Sequence, residues 1–246
     1  MTFAWVPPVA GGLFDPEAGH PLIQHFRPTD YRGHPQVHAV QRGPHDYIYL
    51  GNAAGILAYD GIRWRHISAP TPMVFHLVSD GGKHLYAGGE NEVGYFTLDS
   101  AERMTYHSLK SQVPERLLPF GRVQGLQVTA DGAFFQSETH TFLWCDGQFE
   151  VLEAFGKNAS FHELEGALYV RVPEQGIYRY RHGEFQLLSD AEPFRESGTL
   201  LPARLPDGRL LIFLGKAGTW AVEEATGKAV RYETPADKIL TRIGFE

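Results

Sequence analysis

The sequence is poor in cysteine and lacks the common catalytic signatures. One cysteine, Cys145, stands in 246 residues, so no internal disulfide can form and no cysteine-based zinc site is available. Cys145 ends an apolar run that begins at Phe142, which favours a buried and inert thiol. A P-loop, a dinucleotide fingerprint, an HExxH motif and a nucleophile elbow are all absent. The sequence therefore predicts neither a cofactor nor a resident metal.

Charge and hydropathy exclude two further classes of protein. The formal net charge is −7, and no cluster of Lys and Arg is present, so we expect no nucleic-acid partner. No apolar run approaches the ~20 residues that a membrane-spanning helix needs. The first eight residues lack the basic start and the apolar core of a signal peptide. A cytoplasmic location is expected if no leader precedes Met1.

A repeated pattern of short strands is the main feature of the sequence. Aromatic residues make up 13% of the chain and glycines number 27, a composition typical of short strands joined by tight turns. Each copy reads as four strands, and the third strand begins near an anchor residue: Gly55, Gly94, Thr141, Gly176 and Gly218. The anchors are spaced by about 35 to 47 residues, the period expected of β-propeller blades. The sequence therefore predicts an all-β propeller of four-stranded antiparallel blades.

Asp-Gly dipeptides recur where the pattern requires hairpin turns. Such turns need a positive φ, which glycine adopts at little cost. Three of the dipeptides fall between the first and second strands of their copies: Asp80-Gly81, Asp131-Gly132 and Asp207-Gly208. Recurrence at matching positions is more informative than any single dipeptide and supports the division into blades.

The pattern divides the chain into an irregular N-terminal arm over residues 1–20 and a propeller domain over residues 21–246. Blades are expected at about 34–70, 73–110, 121–154, 158–190 and 198–234, with a partial sixth blade from 236. The segment 21–26 reads as a short strand that could close the ring. We expect a truncated or incomplete ring, whose open edge could pair in a homodimer.

The first blade resembles the two-component regulator propeller repeat. The matching segments are Gly33–Val40, Tyr49–Gly61 and Arg63–Trp64, with weaker matches at Tyr86–Gly89 and Gly94–Phe96. In that family an apolar inner strand is followed by an aromatic-x-Gly-x strand end and then by Gly-Leu-x-x-aromatic-Asp-Gly. The resemblance extends over roughly residues 20 to 246.

The resemblance implies a sensor. Members of the family form the extracytoplasmic N-terminal sensor of membrane receptors, whose output is a histidine kinase or a diguanylate cyclase. The expected function is that of a non-catalytic, ligand-binding propeller of a bacterial signal-transduction receptor, in the periplasm or elsewhere outside the cytoplasm. Its expected partners are a small polar ligand, such as a carbohydrate, and a separate downstream signalling module.

The ligand is expected at one mouth of the propeller channel. The starts of the first strands and the loops between second and third strands lie on that face, so their polar side chains could converge on a ligand. The candidate binding residues are His38, Asn52, His76, Glu90, Asn91, Glu92, Gln124, Glu138, His140, His162, Glu174 and Lys216. No catalytic residue is predicted.

Three other interpretations remain open on the sequence alone. His38, His76 and Glu90 could hold a metal only if their ligand atoms converge at about 2 Å, which a sequence cannot show. A propeller glycoside hydrolase or lyase could use carboxylates such as Glu90 and Glu92 on a polysaccharide-like substrate. A protein-binding scaffold would instead present a dry, aromatic-rimmed face.

Overall fold

The computed structural model describes most of the chain, namely residues 23–69, 71, 73–82, 84–100, 103–152, 159–181, 183–196, 200–235 and 237. The predicted arm over residues 1–20 lies outside this range. The predicted partial blade from residue 236 also lies outside it, apart from Asp237, as does the side chain of Lys216.

Twenty strands form five antiparallel sheets of four strands each, which we number as blades 1 to 5. Blade 1 contains β1 (Val37–Arg42), β2 (Ile48–Asn52), β3 (Gly55–Tyr59) and β4 (Trp64–Ile67). Blade 2 contains β5 (Val74–Ser79), β6 (His84–Gly89), β7 (Glu92–Leu98) and β8 (Met104–Ser108). Blade 3 contains β9 (Val123–Thr129), β10 (Gly132–Ser137), β11 (Thr141–Cys145) and β12 (Gln148–Leu152). Blade 4 contains β13 (Ser160–Leu164), β14 (Ala167–Val172), β15 (Gly176–Arg181) and β16 (Glu184–Ser189). Blade 5 contains β17 (Leu201–Arg204), β18 (Leu210–Phe213), β19 (Thr219–Val222) and β20 (Ala229–Arg231).

Helical structure is short and lies between strands. The α-helices of the described residues are α1 (Pro28–Tyr31) and α2 (Glu192–Glu196), and 3-10 turns occur at Pro44–Asp46, Lys110–Gln112, Glu115–Leu117 and Gly215–Ala217. Within the described part of the chain, no helix has the length and apolar character needed to cross a membrane.

The strands of each blade follow one another in sequence order, and the first strands lie on the inside. Within every sheet the neighbours are consecutive strands paired antiparallel. The first strand of each blade contacts the first strand of the next, from β1 to β5, β9, β13 and β17. The prediction of four-stranded propeller blades is therefore confirmed, and the inner strands begin side by side.

Apolar side chains fill the spaces between neighbouring blades. Tyr49 of blade 1 packs with Val74 and Phe96 of blade 2, and Phe134 of blade 3 packs with Phe161 of blade 4. A middle strand is thus covered on both faces, which explains why its sequence is a continuous apolar run such as Ile56–Ala58 and not an alternation.

Two glycines let neighbouring blades approach closely. Gly51 of β2 and Gly88 of β6 are the glycines of the two aromatic-x-Gly-x strand ends, and both are buried. A Cβ at Gly51 would lie 2.8 Å from the carbonyl oxygen of Val74, and one at Gly88 would lie 2.5 Å from Cγ1 of Val123. The first strand of the next blade therefore occupies the space that a larger residue would need.

The segment before the first blade differs from its prediction. Part of the predicted strand over 21–26 is described, and residues 23–26 have no regular secondary structure. The reason lies in Phe26, whose ring packs against Tyr59 and Trp64 at centroid distances of 5.0 and 5.2 Å. The segment then enters α1 at Pro28, so it covers the end of blade 1 as an irregular segment.

Candidate functional site

A break in the strand pairing, which leaves one residue unpaired, recurs at the start of the first three inner strands. The pairing of β1 with β2 skips His38, the pairing of β5 with β6 skips Phe75, and the pairing of β9 with β10 skips Gln124. Each skipped residue follows a valine in the sequence. Such β-bulges redirect a side chain away from the regular alternation and are common next to binding and active sites.

The bulged residues meet around a single cavity. The cavity has a volume of about 390 Å³ and is lined by His38, Phe75, His76, Arg122, Val123 and Gln124. We call His38, Phe75, His76, Arg122 and Gln124 the mouth cluster. Three blades therefore contribute side chains to one opening beside the inner strands.

The Phe75 ring contacts both Arg122 and His38. The guanidinium carbon of Arg122 lies 5.2 Å from the centroid of the Phe75 ring, which is a cation–π contact. The His38 ring lies 5.1 Å from the same ring at an interplanar angle of 60°. The phenyl group thus holds one face of the opening in place, while His38 and Arg122 remain exposed.

His76 is the half-buried polar member of the cluster. Burial lowers the pKa of its imidazole, and the charges of Arg122 and His38 lower that pKa further. A hydrogen bond to the backbone of Gln124 acts in the opposite direction. The net lowering keeps His76 neutral near pH 7, so one ring nitrogen donates to the backbone of Gln124 and the other remains an acceptor.

Three predicted residues lie beside Arg122 and hold its segment. The backbone of Glu90 forms an isolated bridge with Arg122. Asn91 donates its backbone N–H to the carbonyl oxygen of Gly121 over 2.8 Å, and its side-chain oxygen accepts the N–H of Phe120 over 3.1 Å. The backbone N–H of Glu138 donates to the carbonyl oxygen of Arg122 over 3.1 Å. These contacts fix the position from which Arg122 reaches the opening.

Two other predicted residues point into the protein. Asn52 is fully buried, and its amide donates to the carbonyl oxygens of His34 and Gln36 over 2.6 and 2.9 Å. Glu92 is buried, and one of its oxygens accepts hydrogen bonds from Tyr106 and Ser108 over 3.0 and 2.6 Å. Both side chains therefore form hydrogen bonds inside the protein and do not reach the opening.

The remaining predicted residues do not line the cavity of the mouth cluster. His162 lies on β13 in regular pairing with Tyr169, and burial lowers the pKa of its imidazole. His140 hydrogen-bonds Thr139 over 2.8 Å. Glu174 is exposed with a φ of 64° in the turn before β15. The side chain of Lys216 lies outside the described residues.

Sequence reasoning missed Phe75 and Arg122. Phe75 follows Val74 just as His38 follows Val37 and Gln124 follows Val123, so an alignment of the repeats could have placed it at the mouth. Arg122 lies just before β9 and carries no such signal.

The mouth cluster has no set of metal ligands. No group of three or more His, Cys, Asp or Glu residues that could hold a metal occurs among the residues that the structure describes. In the cluster itself the two histidines are accompanied by an arginine and an amide, which are not the donors that zinc prefers.

The fold and this opening define an all-β propeller with a polar mouth at the start of its inner strands. No protein-family model and no curated protein matches the chain. Solved structures with a similar fold include the virginiamycin B lyase of Staphylococcus aureus, which is 14% identical with a TM-score of 0.55, over 81% of this chain and 70% of the lyase.

An extracellular domain of a bacterial protein is similar to the same extent. The extracellular domain of a proposed one-component system of B. thetaiotaomicron is 15% identical with a TM-score of 0.56, and the match covers 82% of this chain but 28% of that protein. The WD40 propeller domain of Doa1 is 16% identical with a TM-score of 0.55, over 81% of this chain and 69% of that domain. At such identities the likeness shows the propeller fold alone.

Proposed function

We propose that this chain is the ligand-binding propeller of a bacterial signal-transduction receptor, located outside the cytoplasm. It binds a small polar ligand at the mouth cluster and passes the event to a separate histidine kinase or diguanylate cyclase module. The observation that carries the proposal is the set of three matched β-bulges, which direct His38, Phe75 and Gln124 into one cavity. The resemblance to the two-component regulator propeller repeat and the likeness to an extracellular sensor domain support it.

The chemistry of the cluster suits binding. A neutral imidazole at His76, an amide at Gln124 and a guanidinium at Arg122 supply donors and acceptors around a cavity of about 390 Å³, a size typical of small-ligand sites. Bulged inner strands are rigid supports, because each bulge is fixed by ladder hydrogen bonds on both sides. A ligand held by three blades could also alter their relative packing, which gives a route for a signal.

Binding is tested by calorimetric titration of the protein with a panel of mono- and oligosaccharides and small polar metabolites. We expect one or more members to bind, and we expect H76Q and Q124A to weaken that binding by about tenfold or more, since the first displaces and the second removes a polar group that hydrogen-bonds the ligand. H107Q is the matched control, because His107 is an exposed histidine on the outer strand β8. Binding that survives both cluster variants would contradict the proposed site.

A lyase is the second candidate, and the neutral imidazole of His76 favours it. A base with a lowered pKa beside a cavity can take a proton from a substrate, and a lyase is among the similar folds. Mass spectrometry after prolonged incubation separates the two functions. A sensor returns its ligand unchanged, whereas a lyase converts it to an unsaturated product at a rate that H76Q reduces.

The signalling step is tested in the native host. Deletion of the gene should abolish the transcriptional response to the ligand identified by calorimetry, and a chromosomal H76Q allele should weaken the response. A response that is unchanged by deletion would contradict the sensor role while leaving the binding site intact.

A further inference from the structure

The mouth cluster is positively charged in a protein of net charge −7. The charge comes from Arg122, which reaches the opening from the segment just before β9. The same charge contributes to the lowered pKa of the half-buried His76, as expected for a cation placed at this opening. A local potential of the opposite sign to the whole molecule attracts and selects anionic ligands.

Arg122 has no carboxylate partner within the part of the chain that the structure describes. None of the described residues forms an ion pair with its guanidinium at the 4.0 Å limit, although Glu90 and Glu138 are its neighbours along the backbone. Several other arginines in the described part are paired, such as Arg103 with Asp99 at 2.8 Å and Arg209 with Asp207 at 2.7 Å. As far as the described residues go, the guanidinium donors of Arg122 are thus available to a ligand.

The position of Arg122 is fixed before any ligand arrives. Gly121 precedes it with a φ of 75°, the backbone bridge to Glu90 holds its main chain, and the Phe75 ring supports its guanidinium. A guanidinium held in this way loses less conformational entropy on binding than a freely moving side chain, and its planar fork matches an oxyanion.

We infer that the mouth cluster recognises an anionic ligand, such as an acidic sugar or a sugar phosphate, whose carboxylate or phosphate binds Arg122. The imidazole of His76 and the amide of Gln124 bind neighbouring hydroxyl groups of the ligand. This inference rests on the proposed function and specifies the class of ligand.

The test compares charged probes with their neutral counterparts. D-galacturonate is titrated against D-galactose, and glucose 6-phosphate against glucose, at pH 7 and low ionic strength. A charge-assisted hydrogen bond contributes more than a neutral one, so we expect at least one anionic probe to bind about tenfold or more tightly than its neutral partner. The two pairs also decide between a carboxylate and a phosphate.

Two arginine variants assign the effect to the site. R122Q should reduce the preference for the charged probe to below about threefold, because it removes the charge and keeps an amide donor. R103Q, which changes an exposed arginine of blade 2, should leave the preference unchanged. Melting temperatures of both variants close to that of the unchanged protein show that the comparison is not one of folding.

Three results would overturn the inference. They are the absence of binding by either anionic probe, equal affinity for charged and neutral probes, and an undiminished preference in R122Q. The proposed function can survive any of these results, because a neutral ligand whose binding depends on His76 and Gln124 but not on Arg122 would keep the binding site. The proposed function fails if ligand binding survives both H76Q and Q124A.

Discussion

Substitution of Gly88 by alanine tests how blade packing positions the mouth. Gly88 is buried on β6, opposite His76 in the ladder, and its backbone does not lie in the positive-φ region. Alanine can therefore adopt the same backbone conformation. The added Cβ would lie 2.5 Å from Cγ1 and 2.9 Å from Cβ of Val123, distances well inside van der Waals contact.

The free energy cost of Gly88→Ala depends on whether Val123 can move. Val123 is fully buried within the core between blades 2 and 3, so it cannot turn away without displacing other core residues. Overpacking of this kind costs about 1–3 kcal/mol. The loss of glycine flexibility in the unfolded chain offsets about 0.4–1 kcal/mol. The cost of the clash exceeds this offset, and for a protein of this size we expect a fall in melting temperature of about 2–8 °C.

The same substitution should also displace side chains of the mouth cluster. Val123 lies between Arg122 and Gln124, so a shift of β9 away from β6 moves both side chains relative to His76. We expect weaker ligand binding in Gly88→Ala together with the lower melting temperature, measured by calorimetric titration and by thermal unfolding followed by circular dichroism.

Gly82→Ala is the matched control. Gly82 is exposed in the turn before β6, and a Cβ there would lie 3.3 Å from a side-chain oxygen of Asp80, which can adjust. Its melting temperature should stay within about 2 °C of the unchanged protein. Equal melting temperatures for the two variants would refute the argument that Gly88 is required by close packing between blades.

Three further predictions concern titratable groups. Burial opposes ionisation of Glu224, but the hydrogen bond from Tyr169 and the neighbouring arginines give a net lowering of its pKa. The ionised carboxylate therefore stabilises the fold above about pH 4.5, and this contribution is lost as the pH falls below that value. In urea unfolding at several pH values, Glu224→Gln should reduce the loss of unfolding free energy on acidification. Because the pKa of His76 is lowered in the folded protein, the unfolded chain takes up the proton first as the pH falls. The free energy of unfolding should therefore decrease below about pH 6.5, and it should decrease less in H76Q, whose glutamine does not titrate. Burial and the Asp146 carboxylate raise the pKa of Cys145. Iodoacetamide at pH 7.5 should therefore modify this thiol more slowly than it modifies glutathione, and equal rates would contradict the raised pKa.

The blades could be predicted because their signals are local. The spacing of anchors such as Gly55 and Gly176 reflects strands and turns that form within one blade, and Gly55 and Gly176 do begin β3 and β15. The segment 23–26 could not be predicted in the same way, since the aromatic pocket that holds Phe26 is assembled by tertiary packing with Tyr59 and Trp64.

The candidate site was predictable only in part. His38, His76 and Gln124 were expected at the mouth because strand starts share one face of a propeller. Asn52 and Glu92 are polar, but the sequence does not show that their side chains form hydrogen bonds inside the protein and so do not face the opening. Phe75 follows Val74 as His38 follows Val37, so an alignment of the repeats was the signal available for it, and the ladder register then shows that its side chain is displaced by a bulge.

Ligand-induced shifts in an assigned NMR spectrum show whether a ligand binds where the three bulged strands begin. We expect D-galacturonate or glucose 6-phosphate to perturb the resonances of His38, His76 and Gln124 first and most strongly. Shifts concentrated instead in the cleft lined by Tyr86, Tyr95 and Trp144 between blades 2 and 3, with the mouth cluster unchanged, would contradict it.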